Sequence, residues 1–422
     1  MLIKWKFKVA KCKKISFFSF HSTCRPSVYL SLFKTMAATS RVQAFERKID
    51  FQSFIKFPLL MFRILLFEFE PRKLKINPTR METFRVHLKK NVFRFGLLIM
   101  LTSFISMILF TKFNTKNLAE VSSSTSNILM LTLIGMKIFT TYFNQSEIWQ
   151  LLKELQEVYD HRNNNHSNYK VEDYRSDYRK FERFYTGTFI FVILSVAFPL
   201  ALYFITGRMM FKINFWFPFD PLQPLSFPFA SLCVILAASF CLASALGSDL
   251  QLYAMISVLV MEYDFLTADF LKMNAEMSRD VAELIDRHNK LFDLSDKLQD
   301  IYKFSFLFSF VISSMILCLN AFQLSIAKDS VDEYLFYIPC LIFTGSQILL
   351  LCIFGQKLAD SSIAVCDGMY EFGWEDIDDV ALKKIFVLMI KRAQRSKQLT
   401  AMHFVDITLI SFTSVRNFNF ES

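Results

Sequence analysis

The chain has 422 residues, 48 Lys/Arg against 38 Asp/Glu for a formal net charge of +10, and 53% hydrophobic residues, among them 50 Phe. With a mean hydropathy of +0.32, it is too apolar for an ordinary soluble chain of its length, and its apolar residues gather in blocks. Its 8 cysteines are scattered without a CxxC pair, so they read as small apolar residues rather than a disulfide framework, and nothing requires a metal or cofactor.

Residues 1–91 form a basic region, with 21 Lys/Arg against 5 Asp/Glu between Met1 and Arg94. Within residues 1–35, Trp5, Phe7, Phe17, Phe18 and Phe20 are interleaved with lysines. That stretch reads either as an arm lying on anionic lipid or as non-native sequence ahead of a working start at Met36. Phe57 to Phe69 is apolar but only about a dozen residues long and contains Arg63, which suits an interfacial segment or one packed on a bundle.

Residues 92–354 hold six long apolar segments: Phe95–Phe113, Ile128–Phe143, Thr186–Thr206, Phe229–Gly247, Phe304–Leu324 and Tyr334–Phe354. At about 1.5 Å of rise per residue, each approaches or exceeds the length needed to cross about 30 Å of hydrocarbon. The pattern is that of an all-α polytopic membrane protein. Connections after the first, third and fifth segments carry only one or two Lys/Arg each, whereas the alternate ones carry several. The basic side belongs in the cytoplasm, so the N-terminus is expected inside. The sequons at Asn144 and Asn165 then fall on the cytoplasmic side, where glycan transfer does not occur. Lys137 lies late in the second segment, placed to snorkel to headgroups or, alternatively, to line a water-filled path.

The cytoplasmic connections have helical periodicity. Ile148, Leu151, Leu152, Leu155, Val158 and Tyr159 share one face, and Val281, Leu284, Ile285, His288, Leu291 and Leu298 share another. His288 on that stripe reads as a packing histidine. In residues 355–403, the segment from Asp376 to Gln398 runs from acids to bases, with Val380, Ile385, Leu388 and Met389 on its apolar face. Three such faces in one chain predict burial against other subunits, with packing inside the protomer or against lipid as the alternative.

The stretch leading into the fourth segment carries Phe211, Phe215, Trp216, Phe217, Phe219, Phe227 and Phe229 and is punctuated by prolines. It is either an interfacial aromatic belt or a lid over a pocket for a small, mostly apolar molecule. Tyr203, Phe204, Met209 and Met210 are expected walls of that pocket, with Phe336, Tyr337 and Phe343 from the sixth segment, and Pro199 is placed to bend the third.

After the sixth segment come Gly355, Gln356, Leu358, Ser361, Ser362, Tyr370, Trp374, Lys383, Lys384, Arg392, Ala393, Gln394, Leu399, Thr400 and Ala401, then Phe412, Thr413, Ser414 and Val415. This order and spacing resembles the insect odorant receptor family, as do His288 with Leu291 and Leu294, and Cys318. The resemblance runs from about Val92 to Val415. It implies a seven-span bundle and a ligand-gated, non-selective cation channel, assembled as a tetramer with a co-receptor subunit in the dendritic membrane of olfactory neurons. It also implies a volatile, hydrophobic ligand held among spans two, three, four and six on the outer side. The cytoplasmic helices would form a subunit anchor that includes Tyr370, Trp374, Ile385, Leu388 and Met389. Residues 404–422 depart from the pattern: the run from Ile407 to Val415 rises only about 14 Å between Asp406 and Arg416. The seventh span, begun by Phe412, Thr413, Ser414 and Val415, is therefore expected to be incomplete, with conduction in question.

A gustatory receptor-like subunit is the related alternative, but its Thr-Tyr and Gln-Phe pairs near the last span are not found. A transporter would call for glycine-broken spans and repeat symmetry. No serine elbow, HExxH or glycine-rich phosphate cradle supports an enzyme, and basic residues beside spans point to lipid rather than nucleic acid.

Overall fold

The computed structural model describes residues 51–64, 80–113, 118–163, 169–207, 215–221, 223–272, 278–326, 331–377 and 379–411. The expectations for residues 1–35, Met209, Met210, Phe412, Thr413, Ser414 and Val415 fall outside the described residues. Within them the chain forms helices α1 (Gln52–Ile64), α2 (Arg80–Phe113), α3 (Leu118–Phe143), α4 (Gln145–Asn163), α5 (Tyr169–Thr206), α6 (Phe227–Lys272), α7 (Ser278–Ile326), α8 (Val331–Glu371) and α9 (Val380–Ala393). A short hairpin of β1 (Thr400–Ala401) and β2 (Val405–Asp406) follows.

Six of these helices, α2, α3, α5, α6, α7 and α8, are long and apolar enough to cross a membrane. The chain is a multi-pass membrane protein. At 46, 49 and 41 residues, α6, α7 and α8 rise roughly 60–75 Å, about twice the hydrocarbon thickness. They therefore leave the lipid together and continue as a second packed layer, the extension. The second half of α6 is its axis, with Leu250, Ala254, Met255, Ile256, Leu259, Met261 and Leu266 fully buried. A helix with apolar residues on every side is stable only when wrapped, and α8, α5, α1, α3 and α7 pack against α6.

Two of the three stripes expected to need other subunits are closed within the protomer. Ile148, Leu151, Leu152, Leu155 and Tyr159 of α4 are buried, as are Val281, Leu284, His288, Leu291 and Leu298 of α7. α4 packs on α7 and α6, so the extension builds its own core. His288 is fully buried with its ring 4.5 Å from that of Phe292, a packing residue. α1 lies against α6; the ring of its Phe54 is tilted 6.1 Å from that of Tyr178 on α5, and that of Phe51, just before α1, 5.7 Å from that of Tyr159 on α4.

Glu154 of α4 ties the extension's rim to α7 by accepting from Lys290 at 2.9 Å and from Lys297 at 2.7 Å. Burial alone would push its carboxyl up, but the two lysines outweigh burial and hold it down at about 2, against an ordinary 4.5. A depressed carboxyl stabilises the fold fully above its ordinary value and progressively less as pH falls towards the folded value. The melting advantage of the wild type over Glu154→Gln is therefore expected to shrink between pH 4.5 and about 2. A difference that stays constant across that window would remove the clamp from the account.

The hairpin is clipped to both long helices. The Gln299 side chain of α7 donates to the Thr400 carbonyl at 2.7 Å and accepts from the Thr400 amide at 2.9 Å. On the other side, the face of α8 at Gly355 meets Ile407 so closely that an added Cβ would lie 2.9 Å from Ile407 Cγ2 and nearer still to its carbonyl oxygen. Backbone cannot give way as a flexible side chain can. Gly355→Ala is expected to cost about 1–3 kcal/mol by overpacking, read as a lower melting temperature in detergent. An unchanged melting temperature would mean the hairpin floats free of α8.

Candidate functional site

The expected pocket walls separate into three environments. Tyr203, near the end of α5, donates to the Pro224 carbonyl at 2.9 Å and packs its ring 5.0 Å from Phe227. Phe204 beside it is 71% exposed and points away from the bundle. Phe336, Tyr337 and Phe343 of α8 are buried; Tyr337 donates to Ser123 of α3 at 2.9 Å, and Phe343 meets Phe189 of α5 edge-on at 4.7 Å. The structure thus joins Tyr337 to α3 and Phe343 to α5, while Tyr203, near the end of α5, is tied to the α5–α6 connection. The described part of this connection folds back on α2. Ser106 donates to the Trp216 carbonyl at 2.8 Å, and the rings of Phe215, Phe217, Phe219 and Phe229 follow one another at 5.3–6.2 Å. Helix α5 runs through Pro199 without interruption.

Sequence reasoning started the second span at Ile128 and missed the polar run before it. Helix α3 begins ten residues earlier, at Leu118, because the run Ser122–Ser126 is helical and faces other helices. Ser124 accepts from Thr111 of α2 at 2.8 Å, Ser126 donates to Asn320 of α7 at 2.8 Å, Ser122 pairs with Gln323 of α7, and Ser123 receives Tyr337 of α8. Small hydroxyl residues let spans approach and bond across lipid. The available signal was the unbroken serine spacing without Gly or Pro, which a loop would favour.

Lys137 does not snorkel. Its ammonium donates to Asp249 of α6 at 2.7 Å, and both side chains are buried. The same carboxylate oxygen accepts from the Tyr185 hydroxyl of α5 at 2.6 Å, and Thr141 donates to Ser248 at 3.1 Å one turn away. An ion pair at such depth persists because each charge compensates the other and Tyr185 adds a hydrogen bond to the carboxylate. It joins α3, α5 and α6 where the spans pass into the extension.

The expected anchor residues also divide. Met389 is buried with Phe386 and Ile390 on the side of α9 that packs on α8, and Trp374 is half-buried. Tyr370, Ile385 and Leu388 are exposed, Leu388 by 67%. The motif residues from the second half of α8 onward have visible tasks here. Ser362 receives the Lys397 amide at 2.9 Å, Arg392 donates to Asn289 at 2.7 Å, Gln394 donates to Tyr370 at 3.3 Å, and Leu399, just before β1, and Ala401, within it, are buried. Among the described residues no cluster of His, Cys, Asp and Glu is arranged to hold a metal.

Comparison with known proteins agrees with this architecture. The profile of the family described as 7tm Odorant receptor matches residues 117–420. Odorant receptor 85c of Drosophila melanogaster is 24% identical over 301 residues, covering 67% of this chain and 76% of its own length. Odorant receptor 67c of the same fly is 25% identical over 247 residues, covering 56% and 60%. The solved structure of the olfactory receptor OR5 of Machilis hrabei in complex with eugenol has a TM-score of 0.72 at 14% identity, over 88% of this chain and 96% of that one, so the fold is shared. With a helical multi-pass bundle and a profile match over most of its length, the chain belongs to the 7tm odorant receptor family and is an odorant receptor subunit.

Proposed function

We propose that this subunit binds a small, volatile, mostly apolar molecule and gates a non-selective cation channel together with a co-receptor subunit. It would do so in the plasma membrane of an olfactory neuron's dendrite, with its N-terminus in the cytoplasm. The orientation rests on the alternation of Lys/Arg-poor and Lys/Arg-rich connections. The ligand would sit by the wall of Phe336, Tyr337 and Phe343, with Tyr203 and the aromatic connection over it; the OR5 relative bound eugenol, a molecule of that class.

The observation that carries assembly is the split face of α9. Phe386, Met389 and Ile390 are buried inward, while Val380, Ile385, Val387 and Leu388 are exposed. Apolar side chains grouped outside the lipid mark a surface for another protein. Tyr370 and Trp374 flank it, as a subunit anchor requires.

Two measurements test the reading. Co-expressed with a co-receptor, the full chain is expected to give odour-evoked cation current, and substituting Tyr337 or Phe343 is expected to change its ligand preference. Leu388→Glu is expected to abolish co-purification with the co-receptor while leaving the melting temperature of the lone chain within about 1 °C, since an exposed substitution costs within about 0.5 kcal/mol. Co-purification that survives Leu388→Glu and Val387→Glu together would move the interface elsewhere.

A further inference from the structure

The exposed side of α9 carries charge as well as apolar surface. Lys384 and Lys391 stand about two turns apart on one side of the helix, with Leu388 between them and Arg395 just past the helix end. That side is opposite the one formed by Phe386, Met389, Ile390 and Ala393, which are buried. Lys384, Lys391 and Arg395 are all exposed, and among the described residues none of the three side chains has an ion-pair partner. The neighbouring bases that serve the fold are held: Arg392 by Asn289 at 2.7 Å and Lys397 by Asp296 at 2.6 Å. The helix dipole accounts for a base at the C-terminal end of α9, where Lys391 lies, but not for Lys384 in its second turn. Nor is lipid at hand. Cys366 of α8, which donates to the Ile390 carbonyl at 3.9 Å, lies about 18 Å of helix beyond the expected span end at Phe354, past the headgroup layer.

We propose that this face docks on an acidic surface of the co-receptor subunit, where carboxylates about 10 Å apart meet Lys384 and Lys391 on either side of an apolar contact with Leu388. The inference rests on the assembly reading above and adds the chemistry that the partner must present. An apolar face alone would admit many partners, a second copy of this chain among them. The lysines narrow the choice. A second copy offering the same face would set ammonium against ammonium, and such like-charge contacts suppress pairing. A partner with carboxylates there gains attraction where the copy meets repulsion, and its field also steers encounter. The charges thus favour a mixed assembly over self-association through α9.

The test is zero-length carbodiimide coupling, which joins an amine to a carboxylate only where the two touch, applied to the full chain purified with a co-receptor and followed by peptide mapping. Lys384 or Lys391 is expected to be joined to an Asp or Glu of the co-receptor. Lysines joined only to acids of their own chain, or to those of a second copy, would overturn the proposal. Association is also expected to weaken about tenfold between roughly 0.1 and 0.5 M sodium chloride, because salt screens the charges, whereas contact through Leu388 and Val387 alone would not weaken. Lys384→Glu together with Lys391→Glu is expected to weaken association at low salt by about tenfold or more, with the melting temperature of the lone chain within about 1 °C. Association lost in Leu388→Glu but unchanged in the double charge reversal would leave the assembly reading standing and overturn this one. If the unaltered chain does not associate with the co-receptor at all, both fall.

Discussion

Lys137→Met is expected to destabilise the detergent-purified chain by about 3–5 kcal/mol, the usual penalty for removing one partner of a buried ion pair. The substitution keeps the bulk of the side chain but leaves Asp249 in a buried site with the Tyr185 hydroxyl at 2.6 Å as its remaining donor among the contacts described. A neutral phenol does not neutralise a carboxylate. The second change, Asp249→Asn, is expected to recover much of the loss in the Lys137→Met background. The amide carbonyl can still accept from Tyr185 while no charge remains to be stabilised. Thermal unfolding of the four proteins in a double-mutant cycle reads the coupling directly. If Lys137→Met alone costs less than about 1 kcal/mol, the range for exposed pairs, the site is wetter than its burial suggests and the ion pair does not hold the helices together. Equal losses in the single and double variants would point to packing of the aliphatic stem instead.

The second large effect is expected at Arg162. This side chain, at the end of α4, is completely buried and donates to the equally buried Glu262 of α6 at 2.8 Å. Its guanidinium lies between the rings of Tyr159, at 4.9 Å, and Phe265, at 4.3 Å. Arg162→Met removes a cation–π sandwich worth roughly 1–2 kcal/mol as well as the ion pair. Yet Glu262 retains a second cation: Arg287 lies 3.8 Å away, itself anchored to Asp269 at 2.7 Å. Loss of Arg162 is therefore expected to cost about 2–4 kcal/mol, less than loss of Lys137. Arg162→Lys keeps the charge but not the planar stacking, and is expected to recover only part of the difference. The melting order wild type, Arg162→Lys, Arg162→Met, Lys137→Met is the prediction. Reversal of the last two would mean that Arg287 does not reach Glu262 in solution.

Much of the architecture was legible in the chain's periodicity. Six apolar blocks became six long helices, because a backbone in lipid must satisfy its own polar groups and the helix is the local way to do so. The stripes on α4 and α7 were legible too. What covers them was not: hydrophobic spacing tells which face is buried, never what buries it. The covering came from the second half of α6, whose mostly apolar sequence from Leu250 to Leu266 lies beyond the expected end of the fourth span at Gly247. Lys137 was misjudged for a related reason. Its partner, Asp249, is 112 residues away, and no local signal joins the two. The motif from Gly355 to Ala401 was recognisable by spacing, and the structure supplies its physics: Gly355 admits Ile407, Ser362 caps an amide, and Thr400 answers Gln299. Of the candidate pocket, the aromatic character of α8 was readable, but the exposure of Phe204 depends on the rotation of α5, which composition does not encode.

The four hydroxyls near the start of α3 bear on how such a receptor can change over generations. Each bonds to a separate side chain, on α2, α7 or α8, and one interhelical hydrogen bond within lipid contributes only about 0.6 kcal/mol. Loss of any single serine is thus tolerable, while the set as a whole fixes how three neighbours stand around one turn. A bundle held by many weak, independent ties can remodel the surface it offers to chemicals one residue at a time and keep its shape.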